Sequence, residues 1–314
     1  MQEFRRANQF ALLMLAVMIL GSSLVAAIQN WTGARDMLTR YVLTYGIQFA
    51  GPLVLYCVLY PERRPAEILR LRRPAGYTFV LTALIALAVQ PALMCLSSLT
   101  SLVFHNYLTA SLQNYTQQPV WMTLLAAALI PAFCEEFVCR GVYLSGCRRL
   151  SVYFAAALNG IFFGILHLNP QQGIYAAVFG FLCAMIAIGA DSVWPAVLAH
   201  FIINGMQILL AYMSDWFAGS DGWVGELVRQ IQDPQAIWKA IPVALLLACV
   251  AVWCLVRIYY VNNRRELLAG QTAEGWPGER RPGRLRSREL FPGLYWFGGM
   301  VVLFVSVCWI VGIS

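Results

Sequence analysis

Nine apolar runs, each close to the length needed to cross a bilayer, constrain this 314-residue chain more than any other feature. They fall at about 9–28, 41–60, 77–103, 120–146, 152–168, 174–190, 193–212, 241–261 and 294–313. A hydrocarbon core of about 30 Å takes about 20 apolar helical residues. Charged residues make up 12% of the chain, about half the share of a soluble domain. The pattern predicts an all-α, polytopic bundle of eight to nine transmembrane helices. It reads as one integral-membrane domain, 1–314, with no repeat and no separate soluble domain. Arg5 and Arg6 precede the first run, as they would in a signal peptide. That run is longer than a signal core of roughly 7–15 residues, so it reads as a retained span.

The basic residues predict the orientation. Sixteen of the 22 Lys and Arg fall in one set of alternating loops: Arg5 and Arg6, five between Arg63 and Arg73, Arg148 and Arg149, and seven between Arg264 and Arg288. The opposite loops hold four, Arg35, Arg40, Arg229 and Lys239. Such a bias places the N-terminus in the cytoplasm of a multi-pass cell-membrane protein and, after nine spans, the C-terminus outside. The net charge of +7 is thus a topology signal. The arginines are split among short loops, so membrane lipid is the expected partner and nucleic acid is not. Anionic lipid is expected at the Arg-rich cytoplasmic loop 262–290. The polar segment 105–119 contains His105, and segment 213–240, with Trp216, Trp223 and Trp238, is expected to lie at the outer interface. The nine cysteines show no CxxC pair and read as small buried residues.

One run is not apolar throughout. Within PVWMTLLAAALIPAFCEEFVCRGVYL, from Pro119 to Leu144, stand two adjacent carboxylates, Glu135 and Glu136. A charge near the bilayer centre costs between about 2.5 and more than 10 kcal/mol, so intramembrane ionisable groups point to function. Glu136 and Arg140 are at i and i+4 and can pair along one helix face. Glu135 points about 100° away, with no cation on its own turn. Glu136 therefore reads as held, and Glu135 as a free carboxylate suited to a general base. The competing reading is a buried polar clamp joining Glu135, Glu136 and Arg140 between helices.

Two of the three histidines, His167 and His200, also lie in apolar runs. His200 and Asn204 are at i and i+4, so both can face one cavity and donate to a peptide oxyanion. Alternatively His200, His167 and a glutamate, Glu135, could hold a zinc ion with one position left for water. Counted from the turn at Leu150–Ser151, Glu135 lies about 22 Å deep and His167 about 24 Å. From the turn near Asp191, His200 lies about 14 Å deep and Asn204 about 20 Å. These depths are compatible with one site inside the bilayer. Gly164, Gly180 and Ala199 are small enough to let helices approach closely there.

The order Glu-Glu-x-x-x-Arg (Glu135, Glu136, Arg140), Phe-x-x-x-His (Phe163, His167) and His-x-x-x-Asn (His200, Asn204) resembles the CPBP family. These are the CAAX-processing and bacteriocin-processing membrane proteases, also called Abi. The resemblance covers a core at about 120–212. It implies an all-helical intramembrane endopeptidase acting on a membrane-associated peptide or protein. By the resemblance, Glu135 activates the water, Glu136 and Arg140 support it, His167 positions it, and His200 and Asn204 stabilise the oxyanion. The family has been described both as metalloproteases and as metal-independent glutamic proteases, so either Zn2+ or no cofactor is expected. The chain has no HExxH zincin motif and no GxSxG serine motif. Two other functions fit an intramembrane Glu, His and Arg set: an ion-coupled transporter, without support from an inverted repeat, and a non-catalytic immunity protein that binds a peptide.

Overall fold

The structure, a computed structural model, describes residues 2–61, 64–104, 116–217, 239–268 and 287–311. His105, Trp223, Trp238, Arg229 and residues 269–286 of the Arg-rich loop lie outside the described residues. Each of the nine apolar runs is helical: α1 (Gln2–Thr32), α2 (Met37–Leu59), α3 (Gly76–Ser101), α4 (Val120–Gly146), α5 (Val152–Leu166), α6 (Pro170–Ala190), α7 (Trp194–Trp216), α8 (Ile241–Leu268) and α9 (Ser287–Val311). Among the described residues there is no strand. This is the arrangement in which backbone N–H and C=O groups stay satisfied inside lipid.

Among the described residues, seven helices are long and apolar enough to cross a membrane, and α5 and the Leu294–Ser306 part of α9 are shorter. The chain is a multi-pass membrane protein. α8 runs past the expected end at 261 to Leu268, and α9 resumes at Ser287, so helix enters both ends of the expected 262–290 loop.

Helix ends follow local chemistry. Ser151 caps α5 by accepting from Phe154 N–H. Asn169 caps α6 by accepting from the N–H groups of Gln171 and Gln172, with Pro170 at the first position, where a missing N–H costs nothing. That cap starts α6 four residues before the apolar run does. α6 is the most buried span and packs on α5, α3, α7 and α8.

The α5–α6 hairpin is the most extensive contact among the described helices, and glycine makes it possible. A Cβ on Gly160 would stand 2.5 Å from Ala177 O and 2.8 Å from Phe181 N. One on Gly180 would stand 3.0 Å from both Gly160 Cα and Phe163 Cβ. Gly164 packs in the same way on Gly173 and Ala177. The close approach expected of Gly164 and Gly180 is therefore present, and Gly160 and Gly173 complete the stripe.

Among the described residues, Arg6, Arg70 and Arg72 gather at one end of the bundle. Arg70 bonds Asp191 at 2.8 Å, and Arg72 pairs with the same carboxylate. Ser145 Oγ donates to Ile68 O at 2.7 Å, and Arg6 lies 4.4 Å over the Tyr60 ring. Ala75 N–H donates to Asn262 Oδ1 at 3.1 Å, tying α3 to α8.

Candidate active site

The site is built on α4, whose geometry is uneven. The helix widens to π turns over Leu125–Leu129 and over Phe137–Tyr143. α2 does the same over Gly46–Ala50. Such widened turns recur at functional sites. Glu135 and Glu136 sit between the two wide segments of α4. Pro131 has no N–H to offer the carbonyl of Ala127 four residues earlier. Asn204 Nδ2 on α7 donates to that carbonyl at 3.4 Å.

The two carboxylates are sorted as their helical spacing suggests. Glu136 and Arg140 are both fully buried and pair at 2.9 Å. The guanidinium also donates to Gly180 O at 2.9 Å and lies 4.6 Å over the Phe163 ring. Glu136 Oε1 takes a second bond from His200 Nδ1, at 2.8 Å. A buried charge needs partners on this scale, because leaving one bare costs several kcal/mol.

Glu135 is not free. It has no cationic partner on its own turn, but the Tyr45 hydroxyl donates to its Oε1 at 2.9 Å from α2. Its other oxygen, Oε2, stands 3.9 Å from His200 Nε2. The expectation failed because helix periodicity reports neighbours on one helix and is silent about another packed against it. Tyr45 was missed, yet a signal exists. Tyr41, Thr44, Tyr45 and Gln48 recur at i, i+3, i+4 and i+7, a polar stripe on an otherwise apolar span.

The histidines are oriented from behind. His167 Nδ1 faces Phe163 O at 2.9 Å. A carbonyl only accepts, so this nitrogen carries the proton. His200 Nδ1 faces a carboxylate already paired with arginine, so it too is the donor. Phe163 links the set: its ring meets His167 at 4.9 Å and His200 at 5.7 Å, both edge-on, while Arg140 lies over it.

A cavity of about 280 Å³ opens between the helices, lined by Glu135, His167, His200 and Asn204 among others. Glu136 and Arg140 lie behind this wall. The structure thus brings four of the six expected residues to one space and stacks the other two against it. His200 and Asn204 share the cavity, although one N–H of each is committed elsewhere.

The same residues include the donor set of a candidate zinc site, Glu135, His167 and His200. Among the described residues, no three or more His, Cys, Asp or Glu side chains gather closely enough to hold a metal ion. Glu135 and His200 approach each other, but His167 does not close a three-ligand set with them, so the placement does not fit the metal arrangement. A metal at His200 would also need Nε2 as a lone pair, whereas oxyanion stabilisation needs a proton there.

Comparison with known proteins bears on the same segment. A family model described as "Type II CAAX prenyl endopeptidase Rce1-like" matches residues 116–206, which span α4 to α7. The "Putative membrane peptidase YdiL" of Bacillus subtilis (strain 168) is 19% identical over 94 residues, 30% of this chain and 38% of its own length. The matched region thus spans well under half of that relative. No solved structure matches the chain. The Glu-Glu-x-x-x-Arg, Phe-x-x-x-His and His-x-x-x-Asn residues gather around one cavity inside the matched region, which supports the resemblance to the CPBP family.

Proposed function

We propose that the protein is an intramembrane endopeptidase that hydrolyses a peptide bond of a membrane-associated protein or peptide, with 120–212 as its catalytic core. The observation that carries this reading is the 3.9 Å separation of Glu135 Oε2 and His200 Nε2 across the cavity. It is too long for a direct hydrogen bond, and it leaves a polar gap where a water or a carbonyl oxygen can sit.

In this mechanism Glu135 is the base. It takes a proton from a water positioned with the help of His167, and the water oxygen bonds to the scissile carbonyl carbon. The carbonyl oxygen becomes an oxyanion and accepts from His200 Nε2–H and from the second N–H of Asn204. This requires a doubly protonated imidazole. The Glu136 carboxylate accepts from Nδ1–H of that ring and pairs with Arg140 through the same oxygen. Glu135 then returns its proton to the departing amine as the C–N bond breaks. One water is consumed, its second proton stays on the acyl product, and a carboxylic acid and an amine leave.

Tyr45 acts as a positioning residue. Its bond to Oε1 fixes the carboxylate so that Oε2 points at the gap. The test is Glu135→Gln in purified protein, with a membrane substrate found by comparing the proteomes of membranes carrying wild type and variant. The expected result is a folded protein without cleavage. Cleavage at the wild-type rate refutes the reading.

A further inference from the structure

The cavity reaches toward one end of the bundle, and the described arginines Arg6, Arg70 and Arg72 lie at the other. On α2 its lining runs from Tyr41 to Phe49, beginning four residues, about 6 Å, from the helix start at Met37. On α6 it runs from Gln172 to Phe179, beginning two residues, about 3 Å, from Pro170. On α5 it takes Phe163, Leu166 and His167, the last turn. All three positions are far from the arginine-rich end. Tyr41 and Gln172 are each eighteen residues, about 27 Å, from the far ends of their helices at Leu59 and Ala190.

Among the described residues, the two ends of the bundle also differ in closure. At the arginine end, Asp191 is held by Arg70 and Arg72, Ser192 Oγ donates to Arg72 O at 2.7 Å, and Val193 N–H donates to Arg70 O at 3.1 Å. There too α1 is packed so closely on α4 that a Cβ on Gly146 would stand 2.9 Å from Glu3 O. At the opposite end, the cavity residues Tyr41, Thr44, Gln172 and Gln207 are only half-buried. These are neutral hydrogen-bonding groups. Apart from the histidines and tyrosines, Glu135 is the one ionisable acid or base in the lining among the described residues.

By sequence, sixteen of the 22 Lys and Arg fall in the set of alternating loops that includes Arg70 and Arg72, and four in the opposite set. A bias of this size orients the closed end to the cytoplasm. We infer that the cavity opens to the non-cytoplasmic side of the membrane and takes an uncharged peptide segment presented there. A C-terminal tail displayed in the cytosol meets the closed end. The substrate half of this inference rests on the protease reading. The sidedness rests on charge and packing alone.

Three single substitutions test it: Thr44→Cys in the cavity, Arg35→Cys at the open end and Arg73→Cys at the closed end. Each is treated in intact cells and in permeabilised cells with a charged, membrane-impermeant methanethiosulfonate, and labelling is read above the wild-type background of native cysteines. The expected result is equal labelling of Thr44→Cys and Arg35→Cys with and without permeabilisation, and labelling of Arg73→Cys only after it. Labelling of Thr44→Cys only after permeabilisation overturns the inference. So does a Thr44→Cys that is unlabelled under both conditions while Arg35→Cys reacts. Labelling needs no catalysis, so a failed protease reading leaves this result standing. Reversed labelling leaves the catalytic result standing.

Discussion

The α5–α6 contact gives the sharpest structural prediction, because one added carbon has nowhere to go. In Gly160→Ala the new methyl would lie 2.5 Å from Ala177 O and 2.8 Å from Phe181 N, both backbone atoms. Ordinary contact distances are about 3.5 Å, so the helices must part by roughly 1 Å. Overpacking of this kind costs about 1–3 kcal/mol. The same displacement reaches the reaction, since α5 carries Phe163 and His167. A misplacement of about 1 Å in a catalytic group can lower the rate by about 100-fold. Gly205→Ala is the matched control: its methyl would meet only Leu124 Cδ2, at 3.7 Å, an ordinary contact. Alanine's better helix propensity makes that change neutral or stabilising by up to about 1 kcal/mol. The assay is denaturant unfolding in detergent, followed by cleavage rates on the folded fraction. Equal stability and equal activity for Gly160→Ala and Gly205→Ala would refute the packing argument.

Other variants probe the side chains around the cavity. Arg140→Leu leaves Glu136 as a buried carboxylate without its cation, and unfolding should show a loss of about 3–5 kcal/mol. Tyr45→Phe removes a hydrogen bond to a carboxylate, worth about 1.5–3 kcal/mol. It should lower kcat by about 10- to 100-fold with little change in KM, whereas a merely structural Tyr45 would move stability and leave kcat alone. Purified protein should keep its activity in excess chelator, because Glu135, His167 and His200 do not close a three-ligand set. Loss of activity restored by adding back Zn2+ would contradict that expectation.

The helices were legible because a bilayer imposes a length and a composition that a sequence displays directly. The Glu136–Arg140 pair was legible for a similar reason: four residues along one helix bring two side chains together, and the π turn that begins at Phe137 did not part them. Depths of about 14 to 24 Å along the helices were compatible with one site, and Glu135, His167, His200 and Asn204 line one cavity. What stayed hidden were contacts between helices distant in sequence. The Tyr45–Glu135 bond joins residues ninety apart, and His200–Glu136 joins residues sixty-four apart. No periodicity encodes either bond. The π turns were hidden too, since Gly46–Ala50 and Leu125–Leu129 have unremarkable compositions. The glycine stripe was read in part: Gly164 and Gly180 stood out, but Gly160 and Gly173 acquire meaning only once α5 and α6 are paired.

The central claim is that Glu135 does chemistry while Glu136 holds the site. Cleavage by Glu135→Gln, measured on reconstituted protein beside the wild type, tests it most directly. The account predicts a variant that inserts, unfolds at the wild-type denaturant concentration and cleaves nothing. A Glu135→Gln protein that cleaves at the wild-type rate would contradict it.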